Sequence, residues 1–130
     1  MNILQPSGWA RPRGFSHGVA VKGGTAVYIA GQIGSNEKGL VEGKTFLEQF
    51  RQAVRNILAV LAEAGGRPEH LVRLTWYVVD LKEYSAALKD IGAAYRELIG
   101  KHYPAMAVVQ VSGLVEPGAR LEIEATAVVP

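Results

Sequence analysis

The sequence predicts a single α+β domain: one mixed β-sheet with two helices packed on one face, in the order β-β-α-β-α-β-β. Three observations carry this prediction. Runs of period-two alternation, clearest in LEIEATAVV at Leu121–Val129, mark strands. Two longer stretches repeat apolar residues at helical spacing, and each opens with a capping box. Glycine pairs and prolines punctuate the chain between these segments.

Taken in order, residues 1–16 are rich in Pro, Gly and Arg and read as an N-terminal loop or arm. GVAVKGG and TAVYIAGQI read as two strands joined through Gly23-Gly24 as a short hairpin. GSNEKGLVEG, from Gly34, is a polar loop. Thr45 is the expected N-cap of the first helix, with Glu48 reaching back to it. Phe46, Phe50, Val54, Ile57, Leu58 and Leu61 form its apolar stripe, and Gly65-Gly66 stop it. Pro68 and His70 lead into LVRLTWYVV, a β-branched and aromatic strand. Asp80 opens the second capping box with Glu83, and that helix is expected to bury Tyr84, Leu88, Ile91, Tyr95 and Ile99 before Gly100 ends it. Pro104 bars further helix, so AMAVVQV reads as a strand. Pro117-Gly118 then occupy the central positions of a type II turn, expected to join that strand to LEIEATAVV as a final hairpin.

Bulk properties exclude several classes of function. A chain of 130 residues with 48% hydrophobic content is one ordinary globular domain (residues 1–130). Its formal charge is +2 and its 14 Lys and Arg residues are scattered, so no nucleic-acid partner is expected. With no cysteine, disulfides, thiolate metal sites and cysteine nucleophiles are excluded. His17, His70 and His102 lack any HxH or HExxH spacing, so no metal site is expected. There is no GxSxG, no GxGxxG leading into a helix and no Walker motif. MNILQPSGWARPRG lacks the apolar core of a signal peptide, and no run reaches membrane-spanning length. The expectation is a cytoplasmic protein with no membrane partner.

Two helices cover only one face of such a sheet. Alternation gives the other face Glu122, Glu124 and Thr126 on the last strand, with Arg73, Thr75 and Tyr77 on the middle one. Met106, Val108 and Gln110 are expected there from the strand between. That mixture is too apolar for a solvent face and too polar for a core, which points to an interface between copies of the chain. The two glutamates lie about 6–7 Å apart along the strand. They could be a general acid and base, be solvated, or pair with basic residues across strands. Arg11 and Arg13 bracket Pro12 in the arm and could hold a carboxylate or phosphate, or stand in solvent.

Several stretches, GVAVKGGTAVYIAGQIG, QFRQAVRNILAVLAEAGG, HLVRLTWYVVDLKEY, YPAM and PGARLEIEATAVV, resemble the RidA/YjgF family in order and spacing. The likeness runs from about Gly14 to Val129, nearly the whole chain. It implies a chorismate-mutase-like fold assembled as a homotrimer, with small-molecule pockets at the subunit interfaces. It also implies cofactor-independent hydrolysis of enamines and imines to a carbonyl compound and ammonia. In the family an arginine grips the substrate carboxylate and a glutamate positions or activates water. By position that glutamate is Glu122, Glu124 matches a second acidic position that is structural, and the backbone at Ala30 and Gly31 borders the pocket.

This sequence departs from the family pattern at four pocket positions. Met106 stands where deaminating members have arginine, Phe15 where they have tyrosine, Ala30 where they have serine and Val108 where they have cysteine. A thioether cannot make the bidentate, charge-assisted grip of a guanidinium. The expectation is an imine or enamine deaminase with an altered substrate, using Glu122: a neutral or aromatic imine would need no arginine, and Arg11 or Arg13 could replace it from the arm. The alternative is a trimer that binds a small apolar or aromatic ligand, or a protein, at the same clefts without turnover. A ribonuclease or translation-inhibitor role, also ascribed to some family members, finds no histidine pair or basic stripe here.

Overall fold

The computed structural model describes residues 1–130 and contains six strands and three helices. In chain order they are β1 (Asn2–Leu4), β2 (Gly18–Ala20), β3 (Thr25–Gln32), α1 (Phe46–Glu63), β4 (Leu71–Val78), α2 (Leu81–Ala86), α3 (Leu88–Leu98), β5 (Ala105–Gln110) and β6 (Leu121–Val129). The main sheet runs β3-β6-β4-β5, with β4 and β5 parallel and the other pairs antiparallel. It is therefore the mixed sheet of the predicted α+β class.

The local signals for α1 and β6 hold. Thr45 caps α1 by accepting from the Glu48 amide at 3.1 Å, and the two side chains also meet. Phe50, Val54, Ile57 and Leu61 pack beneath α1 against Leu71, Leu74, Leu121 and Ile123, all essentially buried. Each such aliphatic or aromatic side chain contributes roughly 1.5–3 kcal/mol on burial. The alternation of β6 is realised throughout: Leu121, Ile123, Ala125 and Ala127 are buried, while Glu122, Glu124 and Thr126 face the other side.

Pairing is where the chain differs from the expected layout. Neither predicted hairpin forms. The supposed loop at the N-terminus supplies β1, whose residues pair with β2, so the main-chain groups of Gly18–Ala20 are committed away from β3. Gly23 and Gly24, both at positive φ, turn the chain between the two sheets. The Pro117-Gly118 turn does form, with Gly118 at φ 84° and the Ala119 amide donating to Glu116 O at 3.2 Å. It sits within the connection from β5 to β6, which are separated by β4. A helical crossover returns the chain parallel to the strand it left, placing β5 beside β4. The opposite edge of β4 is taken by β6.

The second helix is two helices, broken at Ala87 (φ −95°, ψ 3°). The break leaves Leu88 about half exposed, and Ile91, Ala94 and Tyr95 carry the buried face. Asp80 caps α2 through the Lys82 amide, whereas Glu83 turns to Arg120 at 2.7 Å instead of completing a capping box.

A second correction follows from the parallel pairing. Met106, Val108 and Gln110 sit level with Leu74, Trp76 and Val78, on the helix-covered face. The open face receives Ala105, Ala107 and Val109 instead, level with Arg73, Thr75 and Tyr77. Tyr28 stands 81% exposed on this open face, opposite Thr126.

One buried polar side chain ties the long connection to the core. Gln49, 1% exposed, donates to Gly43 O and Gly118 O at 2.9 Å each and accepts from the Arg120 amide at 2.7 Å. Gln49→Ala strands three main-chain groups in part-buried hydrogen bonds, and urea unfolding should show a loss of roughly 2–4 kcal/mol. A loss below about 0.5 kcal/mol would mean that these bonds are replaced by water.

Candidate functional site

Strand β6 carries both glutamates on the open face, and its neighbours treat them differently. Glu124 lies level with Thr75 and accepts a 2.6 Å hydrogen bond from the Tyr77 hydroxyl. That bond holds the Tyr77 phenol above the usual tyrosine range, with desolvation and the charges of Glu124 and Glu122 adding to it. Glu122 lies level with Tyr77 and is half-buried, yet forms no ion pair or hydrogen bond within the chain. Of the pair, Glu124 is engaged and Glu122 is free.

A β-bulge places main chain over Glu122. Ile29 pairs with Ala125 and Gln32 with Ile123, so Ala30 and Gly31 form an extra step opposite Glu124. A Cβ built on Gly31 would lie 2.7 Å from the carboxyl carbon of Glu122. Glycine here provides space, so that backbone and carboxylate share one exposed notch. Ala30, Gly31 and Glu122 are thus brought together.

Phe15, Met106 and Val108 form a second cluster, on the helix side. They line a cavity of about 410 Å³ beneath α2 and α3, together with Trp76 and Tyr84. Phe15 is held there by Ser16, whose amide donates to Pro104 O at 3.0 Å and whose hydroxyl donates to Tyr103 O. Trp76 is buried between Phe50 (5.0 Å) and Tyr84 (5.9 Å), and its indole N–H has no hydrogen-bond acceptor. Burial pushes the Tyr84 phenol up. Arg13 lines this cavity, as does Arg96 of α3, whereas Arg11 stands exposed outside it.

The two clusters occupy opposite faces of one sheet. Glu122 shares its face with Tyr77, while Met106 and Val108 share theirs with Leu74 and Trp76. A single chain cannot join them.

The histidines serve structure. His17 meets Trp9 and Phe15 edge to face, His70 Nδ1 accepts from the Arg67 amide, and His102 Nε2 lies 2.7 Å from Leu71 O. No helix is long and apolar enough to cross a membrane. Sequence reasoning missed Ser16, Tyr84, Arg96 and Trp76 as site residues. Trp76 was within reach, because alternation along LVRLTWYVV sets it beside Leu74 and Val78. Ser16 was not, since its partners are main-chain atoms 87 residues away.

Comparison with known proteins places this geometry. The sequence model of the family described as Endoribonuclease L-PSP matches residues 10–129. A RutC family protein of Aquifex aeolicus is 38% identical over 116 residues, 88% of this chain and 87% of that protein. A 2-iminobutanoate/2-iminopropanoate deaminase of Capra hircus is 35% identical over 104 residues, 78% of this chain and 72% of the relative. Among solved structures, YyfB of Yersinia pestis, a Rid-family protein of unknown function, superposes with a TM-score of 0.83 at 34% identity, covering 98% of each chain. With its chorismate-mutase-like α+β fold and a family match running nearly end to end, the chain belongs to the RidA/YjgF family, whose sequence model bears the name Endoribonuclease L-PSP.

Proposed function

We propose that this protein hydrolyses the C=N bond of small imines in sites shared between copies of the chain, assembled as a homotrimer in the cytoplasm. The observation that carries the reading is the free carboxylate of Glu122 beside the main chain of Ala30 and Gly31. The deaminase relative supports the reaction class. The opposed faces of the two clusters support the shared site, since Glu122 of one copy meets Phe15, Met106 and Val108 only if these come from another.

The chemistry asks little of the protein. Water adds to the carbon of the protonated imine as a Glu122 carboxylate oxygen takes one of its protons, giving a neutral carbinolamine. Glu122 returns that proton to nitrogen and the C–N bond breaks. The hydroxyl gives up its proton to the Glu122 carboxylate as the carbonyl forms and ammonia leaves; that last proton passes to the departing ammonia as ammonium. One imine and one water are consumed. Positioning and a single base suffice, and such a base contributes about 10²–10⁴-fold. Met106 supplies no charge to the substrate, so selectivity passes to other groups in the cavity. A second reading, ligand binding without turnover, draws on that apolar cavity.

Ammonia release from 2-aminoacrylate and 2-iminobutanoate generated in situ separates the two. Wild type should accelerate release, and Glu122→Gln should lower the rate about 100-fold or more. Equal rates with and without protein would leave the binding reading in place.

Glu124→Gln should retain turnover while changing the titration of Tyr77. Loss of the carboxylate returns the phenol toward the ordinary tyrosine range, which an ultraviolet titration of the phenolate band detects. A raised folded pKa gives stability that is complete below the unfolded tyrosine pKa and fades as pH rises through the folded value. The variant should therefore lose less stability than wild type at strongly alkaline pH. Loss of turnover in Glu124→Gln would assign catalysis to the pair rather than to Glu122 alone.

A further inference from the structure

Three features of the cavity beneath α2 and α3 bear on what it could hold. The first is charge. Arg13 and Arg96 line it, no acidic residue does, and neither guanidinium has an ion pair or side-chain hydrogen bond. An apolar cavity edged by two free cations is complementary to an amphipathic anion.

The second feature is Gly92. It lies inside α3, where glycine costs about 1 kcal/mol relative to alanine. No packing demand explains it: a Cβ there would meet only Arg96 Nη1, at 3.5 Å. Because Gly92 lines the cavity, its missing side chain leaves room for a ligand beside Arg96.

The third feature is the lining itself. Phe15, Trp76 and Tyr84 present ring surface, and Met106 adds a soft thioether that adapts to a flat partner. Nothing at Met106 or Val108 can hold a carboxylate.

We propose that the cavity takes a planar aromatic 2-imino acid in an inverted pose, ring inward against Met106, Val108 and Trp76, and carboxylate outward on Arg13 and Arg96. The inference rests on the hydrolase reading and names its substrate class. The pose has a chemical consequence. In a 2-imino acid the C=N carbon is bonded directly to the carboxylate carbon, so binding the carboxylate at the rim leaves the reacting carbon at the rim too. That is where Glu122 of a second copy would have to approach. A ligand held by a charge at the floor would instead turn its apolar end out.

The test is calorimetric titration of the full-length protein with phenylpyruvate, the keto acid released from the corresponding imine. Phenylacetone serves as the same body without the carboxylate, and 2-oxobutanoate as the same head on a smaller body. Phenylpyruvate should bind at least about tenfold tighter than either. Arg13→Met with Arg96→Met should remove about tenfold of phenylpyruvate affinity and leave phenylacetone unchanged. Gly92→Leu should abolish binding of both aromatic compounds while the melting temperature holds or rises.

Equal loss of phenylpyruvate and phenylacetone in the arginine variant would overturn the rim contact. Equal affinity for 2-oxobutanoate and phenylpyruvate, or no effect of Gly92→Leu, would overturn the cavity as the aromatic site. Binding without ammonia release would end the hydrolase reading and keep the ligand class as a binding specificity. Ammonia release from aliphatic imines alone would do the reverse.

Discussion

The site depends on the insertion of β6 between β3 and β4. The last strand to be made lies inside the sheet, its inward side chains Leu121, Ile123, Ala125 and Ala127 all buried. Insertion sets both registers at once. Against β4 it sets Glu122 level with Tyr77 and Glu124 level with Thr75. Against β3 it creates the bulge that brings Ala30 and Gly31 over Glu122. Because side chains alternate with period two, a slip of one residue would send both glutamates into the core and Ile123 into solvent. Burial of that alternate set thus fixes where the carboxylates stand.

The same sheet then divides the labour. One face meets α1 and the paired helices α2 and α3, and at the β5 edge this leaves a cavity edged by Arg13 and Arg96. The other face has no helix and displays Tyr28, Thr126, Glu124, Glu122 and Tyr77. Aromatic side chains with polar tips are suited to interfaces, where part of each side chain is dry and part is wet. In the proposed assembly, the face that pairs copies of the chain is the same face that carries Glu122.

Elements were legible in the sequence wherever a short-range signal was sufficient. Thr45 with the stripe beneath it located α1, and the alternation of LEIEATAVV assigned every buried position of β6. Pairing was not legible. Gly23-Gly24 and Pro117-Gly118 do turn the chain, but a turn does not say which strand its flanks will meet; that is decided by contacts far apart in sequence. The misplacement of Met106 and Val108 has the same origin. Alternation separates them from Ala107 and Val109, yet both sets are mixed, and only the parallel register with β4 says which faces the helices. The free state of Glu122 was beyond reach as well, because Glu124 is occupied by Tyr77 from another strand. The roles expected of Glu122, Phe15 and Met106 came from likeness to a family, not from pattern.

The central claim is that a working site needs Glu122 from one copy and the cavity from another. Mixing two variants tests it: Glu122→Gln, which lacks the base, and Met106→Trp, which fills the cavity. Each assembly alone should fail to release ammonia from imines. After unfolding and refolding together in equal amounts, random assembly should restore about a quarter of wild-type activity, since one head-to-tail interface in four then joins an intact Glu122 to an open cavity. No recovery from soluble mixed assemblies of the same size would contradict the account and place both functions within a single chain.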